Sequence, residues 1–166
     1  MISSLYWIDL PEPGRLAIMA RPRAGDWLAD EVMGWLADGV DLVISLLEPE
    51  EVADLELQRE SELCRESGIE FISFPVPDRG VPASTGDILE LTRIIGDRLR
   101  AGKAVAVHCR AGIGRSSLVA ACAMVESGYQ PELALNLIRQ SRGLRVPDTD
   151  EQKDWITAFS KAVRVQ

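Results

Sequence analysis

The chain has 166 residues, 46% of them hydrophobic and 27% charged, with a formal charge of −8 at pH 7. This length and apolar content predict a single domain, residues 1–166, with a full core. The acidic balance argues against broad affinity for nucleic acid or anionic membrane, both of which reward a basic surface.

The predicted elements alternate between strand and helix. Met1-Ile2-Ser3-Ser4-Leu5 lacks the basic and apolar regions of a targeting segment, and no stretch reaches membrane-spanning length. Tyr6 to Ile8 and Arg15 to Met19 read as strands around the turn-forming Pro11-Glu12-Pro13-Gly14. Asp26 is placed to cap a helix with Leu28, Val32, Trp35 and Leu36 on one face, ended by Gly39. Val40 to Leu47 reads as a buried strand. Pro49 sits in the first turn of an acidic helix that runs to about Ser67 with a solvated charged face and stops at Gly68. Ile69 to Phe74 gives another strand, and the proline-rich 75–82 stretch cannot be regular structure.

Ser84 with Asp87 three residues on opens a helix with Ile88, Leu91, Ile95 and Leu99 at helical spacing, ending at Gly102. Lys103 to His108 is a short apolar strand. The Arg115 to Ser127 helix is apolar nearly all round and therefore central. Pro131 opens a further helix to about Ser141. Thr149 and Gln152 suggest the cap of the last one, with Trp155, Ile156, Phe159 and Val163 turned inward. The alternation predicts a three-layer α/β sandwich around a largely parallel sheet, with a ligand site beyond the carboxyl ends of the strands.

One junction carries the chemistry. The strand ending at His108 is followed by Cys109-Arg110-Ala111-Gly112-Ile113-Gly114, then by a helix opening at Arg115-Ser116. Helix N-termini present unpaired N–H groups and the positive end of the peptide dipole, so a tetrahedral oxyanion sits well there. Gly112 and Gly114 let the loop turn its amides inward. Cys109 at the rim of this bowl is expected to have a lowered thiol pKa. Arg115, six positions on, supplies a fork that can hold two phosphoryl oxygens.

The run His108-Cys109, five residues, Arg115-Ser116 resembles the signature loop of the cysteine-dependent protein tyrosine phosphatases, specifically the small dual-specificity branch. The resemblance implies metal-free, cofactor-free hydrolysis of phosphate monoesters through a phosphocysteine, with a phosphorylated protein or peptide as substrate. In that family the acid lies on a loop about thirty residues before the cysteine, a position matched by Asp78. A Pro-Asp-Arg-Gly turn is the plainer reading of Asp78, and Asp87 and Asp97 are weaker rivals within helices. Ser116 is expected to stabilise the thiolate or to serve as a first-turn helix residue. His108 is expected to orient the loop. Arg110, Ala111, Gly112, Ile113, Gly114 and Arg115 are the expected substrate-binding loop.

Gln152 matches a late glutamine that some family members place near the hydrolytic water, and it also fits a helix start. Arg110, Arg79, Arg142 and Arg145 are candidates for a positive mouth, against the ordinary reading of solvated arginines. Cys64, Cys109 and Cys122 form an odd set without metal-ligand spacing, which suits a reducing, cytoplasmic setting. Cys64 or Cys122 could pair with Cys109 on oxidation, but helical cysteines are more often core residues. Rival readings are a phosphatase for phosphoinositides, inositol phosphates or RNA 5′ ends, a rhodanese-type sulfur transferase, whose loop is typically shorter, and a catalytically silent phosphoprotein-binding module.

Overall fold

The computed structural model describes residues 4–165; Met1 to Ser3 of the expected N-terminal stretch and Gln166 lie outside the described residues. The sheet has five strands, β1 (Tyr6–Ile8), β2 (Arg15–Met19), β3 (Leu42–Ser45), β4 (Glu70–Ser73) and β5 (Ala104–His108), in the order β1-β2-β5-β3-β4. Only the β1–β2 pair is antiparallel. β5 occupies the middle, and all five of its residues are buried.

The two-residue strand period divides the core. Leu16, Ile18, Leu42, Ile44, Val105 and Val107 face one side, and Ala17, Met19, Val43 and Ala106 the other. The first side is covered by α4 (Thr85–Arg100), α5 (Arg115–Glu126), α6 (Pro131–Arg142) and α7 (Asp150–Val165). The second packs against α1 (Trp27–Ala37) and α3 (Glu60–Glu66). The arrangement is the expected three-layer sandwich. Every residue of α5 from Arg115 to Val125 is buried, because the helix lies between the sheet and its three neighbours α4, α6 and α7.

The structure corrects several local expectations. Asp26 makes no capping hydrogen bond: its own backbone is already helical (φ −65°, ψ −20°), whereas a capping side chain requires an extended residue. Leu36 is 42% exposed, while Leu28, Val32 and Trp35 are buried. The acidic helix expected from Pro49 to Ser67 is two helices, α2 (Pro49–Asp54) and α3, separated by a turn in which Glu56 takes a left-handed φ of 55°. The Leu57 amide closes that turn on the Val52 carbonyl at 2.9 Å, and the Leu57 side chain is buried with Leu28 and Leu47. Burial of one leucine therefore overrides the helical pattern. An unbroken helix would set Glu51 and Glu60 about 180° apart on its circumference; the break brings both under the sheet's carboxyl end.

Candidate active site

β5 ends beside Met19 of β2 and Ser45 of β3, its register partners at His108, so the loop that follows emerges at the carboxyl edge of the three central strands. The loop is pinned there by Arg21 N–H donating to the Arg110 carbonyl (3.2 Å) and Leu46 N–H to the His108 carbonyl (2.9 Å). Gly112 has φ 70°, and a Cβ there would meet the Met19 and Ala20 backbone at 2.6 and 2.7 Å. Only glycine fits that turn. Gly114 has an ordinary φ of −88°; its constraint is space, since a Cβ would lie 2.9 Å from Asp148 Cβ and 3.0 Å from the Gln152 amide.

Cys109 is buried, with Sγ 3.3 Å from the Ser116 hydroxyl. Burial by itself would push the thiol pKa up, but the Ser116 hydroxyl, the Ser116 and Gly112 amides and the Arg115 guanidinium favour thiolate and hold it below its ordinary value. Cys64 and Cys122, in helices α3 and α5 respectively, have no such donors. Burial pushes the first to about 12 and the second well above the ordinary thiol range. Both are unpaired core residues in separate clusters.

Arg115 is 2% exposed yet fully engaged along one edge. Nη1 donates to Glu51 Oε1 at 2.7 Å and to the Val76 carbonyl at 2.9 Å, and Nη2 donates to Glu51 Oε2 at 3.0 Å and Asp78 Oδ1 at 3.2 Å. Nε is bound by no group among the described residues. Burial works against both ions; their mutual bidentate bonding lowers the Glu51 pKa and raises that of Arg115 despite it. Asp78, with 55% of its side chain exposed, sits at the mouth. Asp87 is spent in the first turn of α4, where its amide donates to Ser84 Oγ, and Asp97 pairs with Arg100 on the surface.

Asp78, Cys109, Arg110, Ala111, Ile113, Gly114, Arg115 and Gln152 line one cavity of about 220 Å³, together with Arg79 and Asp148. His108 and Ser116 lie behind it, fully buried. Of the four candidate mouth arginines, Arg79 and Arg110 are there. Arg142 is not: it stacks over Tyr6 at 4.2 Å and donates to the Gly112 (2.9 Å) and Ala111 (3.3 Å) carbonyls. It thereby holds those carbonyls outward and leaves the amides to face the bowl. Arg145 lines a separate neighbouring depression with Arg139 and Lys153.

Gln152 has both ends of its amide engaged. Oε1 accepts from the Asp148 (3.0 Å) and Thr149 (3.1 Å) amides, and Nε2 donates to the Gly80 carbonyl at 3.1 Å. Its own amide donates to Thr149 Oγ1, the expected helix cap. It joins the Asp78 loop to the start of α7.

Two functional residues lay hidden in the acidic stretch. Glu51 backs Arg115, and Glu60, 2% exposed, reaches His108 Nε2 at 2.6 Å. For Glu51 the available signal was its place three residues after Glu48, across Pro49; this is a capping box, and Glu51 Oε1 does accept from the Glu48 amide at 3.0 Å. For Glu60 the sequence offers no local signal.

A small bowl lined by a cysteine of lowered pKa and a guanidinium, on a largely parallel sheet at a strand-to-helix junction, defines a cysteine-dependent phosphatase fold. The family profile "Dual specificity phosphatase, catalytic domain" matches residues 40–162, and the chain belongs to that family, within the protein tyrosine phosphatase superfamily. Among known proteins it is similar to cyclin-dependent kinase inhibitor 3 of Rattus norvegicus, 30% identical over 100 residues, 59% of this chain and 47% of that protein. The chain thus spans about half the length of that curated relative. A structure of kinase-associated phosphatase with its catalytic-site cysteine substituted by serine superposes with a TM-score of 0.91 at 20% identity, covering 100% of this chain and 98% of that one. The structure of Tk-PTP in the active form gives 0.77 at 29% identity, covering 95% and 97%.

Proposed function

We propose that this chain is a single-domain phosphoprotein phosphatase that hydrolyses phosphotyrosine monoesters, with phosphoserine and phosphothreonine as further substrates, through a phosphocysteine intermediate. The observation that carries the reading is the placement of a thiol with lowered pKa, an arginine fork and an aspartate around one small cavity.

The mechanism follows from these positions. The loop amides and the Nε–Nη2 edge of Arg115 hold the equatorial oxygens of the phosphoryl group. The incoming phosphate takes Nη2 in place of Asp78 Oδ1. Cys109 Sγ then attacks phosphorus in line as the ester P–O bond breaks, and protonated Asp78 gives its proton to the departing oxygen. In the second half Asp78 takes a proton from water, the water oxygen bonds to phosphorus, and the S–P bond breaks. Ser116 donates to sulfur as it leaves. Arg110 and Ala111 to Gly114 shape the bowl, His108 orients it, and Gln152 holds the Asp78 loop against α7. The proposed route calls on no metal.

Three free cysteines, one of them needing to remain a thiolate, suit a reducing cytoplasmic setting; no helix among the described residues is long and apolar enough to cross a membrane. The exposed Arg79 and Arg110 at the rim favour, as a second reading, a phosphoinositide or another polyanionic phosphate ester.

Turnover of p-nitrophenyl phosphate, blocked by vanadate and indifferent to chelators, is expected for the wild type and lost in Cys109→Ser. A Cys109→Ser variant that kept turnover would exclude the covalent route, and a wild type that bound phosphopeptide without turnover would make the chain a binding module. Comparing a phosphotyrosine peptide with a short-chain phosphoinositide separates the two substrate classes.

A further inference from the structure

We infer that Glu60 is a positioning residue of the site: from α3, on the opposite side of the sheet from α5, it holds His108 as an imidazolium directly behind the nucleophile. With Glu60 ionised, the geometry calls for two protons on the ring. His108 Nδ1 faces the Cys109 carbonyl at 3.2 Å and Nε2 faces Glu60 Oε2 at 2.6 Å, and a carbonyl and a carboxylate only accept. Beside the Glu60 carboxylate a neutral ring satisfies one of them and the imidazolium both; a neutral ring facing a protonated Glu60 is the rival state. The ring is completely buried and Glu60 nearly so, which makes a missing bond costly.

The charged groups that face His108 are few. Glu60 comes from α3 and Cys109 from its own loop. Its sheet neighbours Met19 and Ser45 are uncharged, and Arg115 of α5 lies beyond the sulfur, tied to Glu51 of α2. With His108 as imidazolium and Cys109 as thiolate, the groups from Glu60 through His108, Cys109 and Arg115 to Glu51 alternate in sign. The direction of the His108 shift agrees. Burial lowers its pKa, yet Glu60, with smaller help from the Cys109 carbonyl and thiolate, brings it above the ordinary 6.5. Glu60 is negative and would on its own disfavour a thiolate. Its effect on the sulfur is therefore indirect: it keeps a nearer positive charge in place, and the Nδ1–H bond fixes the peptide that carries Sγ.

The inference deepens the phosphatase reading and depends on it only for the consequence in turnover, so the test uses readouts that need no turnover. His108 is the chain's only histidine. In full-length protein with 15N-labelled histidine, a single pair of ring resonances is expected to report imidazolium through pH 7 in the wild type; a neutral tautomer at pH 7 overturns the proposal without any variant. In Glu60→Gln, which keeps the side-chain shape and loses the charge, the ring is expected to deprotonate at lower pH. The iodoacetamide alkylation profile of Cys109, read at its own peptide by mass spectrometry, should then move to higher pH, slowing alkylation roughly tenfold below its midpoint for each unit of that movement. An unchanged or lowered midpoint in a folded Glu60→Gln variant overturns the proposal. If that variant does not fold, the wild-type ring resonances decide alone. A wild type with the expected ring and alkylation profile but no turnover on any phosphomonoester sinks the phosphatase reading and leaves the Glu60 assignment standing.

Discussion

The stretch 104–117 and the segment 49–66 meet at one site and bring opposite things to it. The first brings positive and partly positive groups to the bowl, the loop amides and the Arg115 fork, with His108 behind the thiol. None of the second lines the cavity. It supplies Glu51 behind the arginine and Glu60 behind the histidine, both buried. The contrast teaches that a buried cation is useful in a site only when an anion fixes its back. An isolated buried guanidinium carries a desolvation penalty of several kcal/mol and is free to turn; chelated along Nη1 and Nη2, it presents a defined remaining edge to the bowl.

Removing the backing charge is expected to have the largest effect. Glu51→Ala leaves Arg115 buried without its partner and is expected to destabilise the fold by about 3–5 kcal/mol in urea unfolding. It should also weaken vanadate binding, because the fork loses its aim. A variant of wild-type stability and affinity would mean that Glu51 is incidental. Asp78→Ala, on the exposed rim, should leave stability nearly unchanged while slowing an alkyl phosphate by about 10²–10⁴-fold and p-nitrophenyl phosphate much less; equal losses on the two substrates would assign the acid elsewhere.

Leu57→Ala separates the turn from the charges it directs. It opens a cavity beside Leu28 and Leu47, with an expected loss of about 2–4 kcal/mol. Since the turn aims both glutamates, kcat should fall as well, although Leu57 lies outside the cavity that holds Cys109. A stability loss with untouched kcat would show that α2 and α3 keep their places without the turn.

The folded pKa of His108 lies above 6.5, so the folded state holds a proton that the unfolded chain has released. The pair's contribution is complete below about pH 6.5 and declines as pH rises through the folded value, with a slope approaching about −1.4 kcal/mol per pH unit in that window. Cys109, with its lowered pKa, contributes the opposite sign below its ordinary 9.0, so the measurement belongs in a Cys109→Ser background. There, unfolding free energy should fall from pH 6.5 upward with Glu60 present and flatten in Glu60→Gln.

These effects also explain what could be read in advance. The sandwich, the parallel sheet and the Cys109 loop were legible because each depends on neighbours in sequence: apolar strands, helix-start residues, and a cysteine and arginine at fixed spacing across one turn. The stretch 49–66 was not. Its charges have the pattern of a solvated helix, and the fact that breaks it, the burial of Leu57 against Leu28 and Leu47, joins three separate parts of the chain. Arg142 is a similar case. Its sequence position allowed the mouth, but Tyr6 and the loop carbonyls hold it behind the bowl. Gly114 was read as a conformational need and is a packing need, set by Gln152 thirty-eight residues later.

The smallest expected effect tests whether the break between α2 and α3 is a backbone choice or a side-chain one. Glu56 holds a left-handed φ of 55°, which is unfavourable for any residue with a Cβ by roughly 1–2 kcal/mol. Glycine removes that strain but adds about 0.5–1 kcal/mol of unfolded-state entropy. Glu56→Gly should therefore be neutral or stabilising by up to about 1 kcal/mol, with kcat unchanged, since the Leu57 anchor and the aim of Glu51 and Glu60 survive. A loss of more than about 1 kcal/mol would mean that the Glu56 side chain itself fastens the turn, and the account resting on Leu57 would then have to share its role with a surface charge.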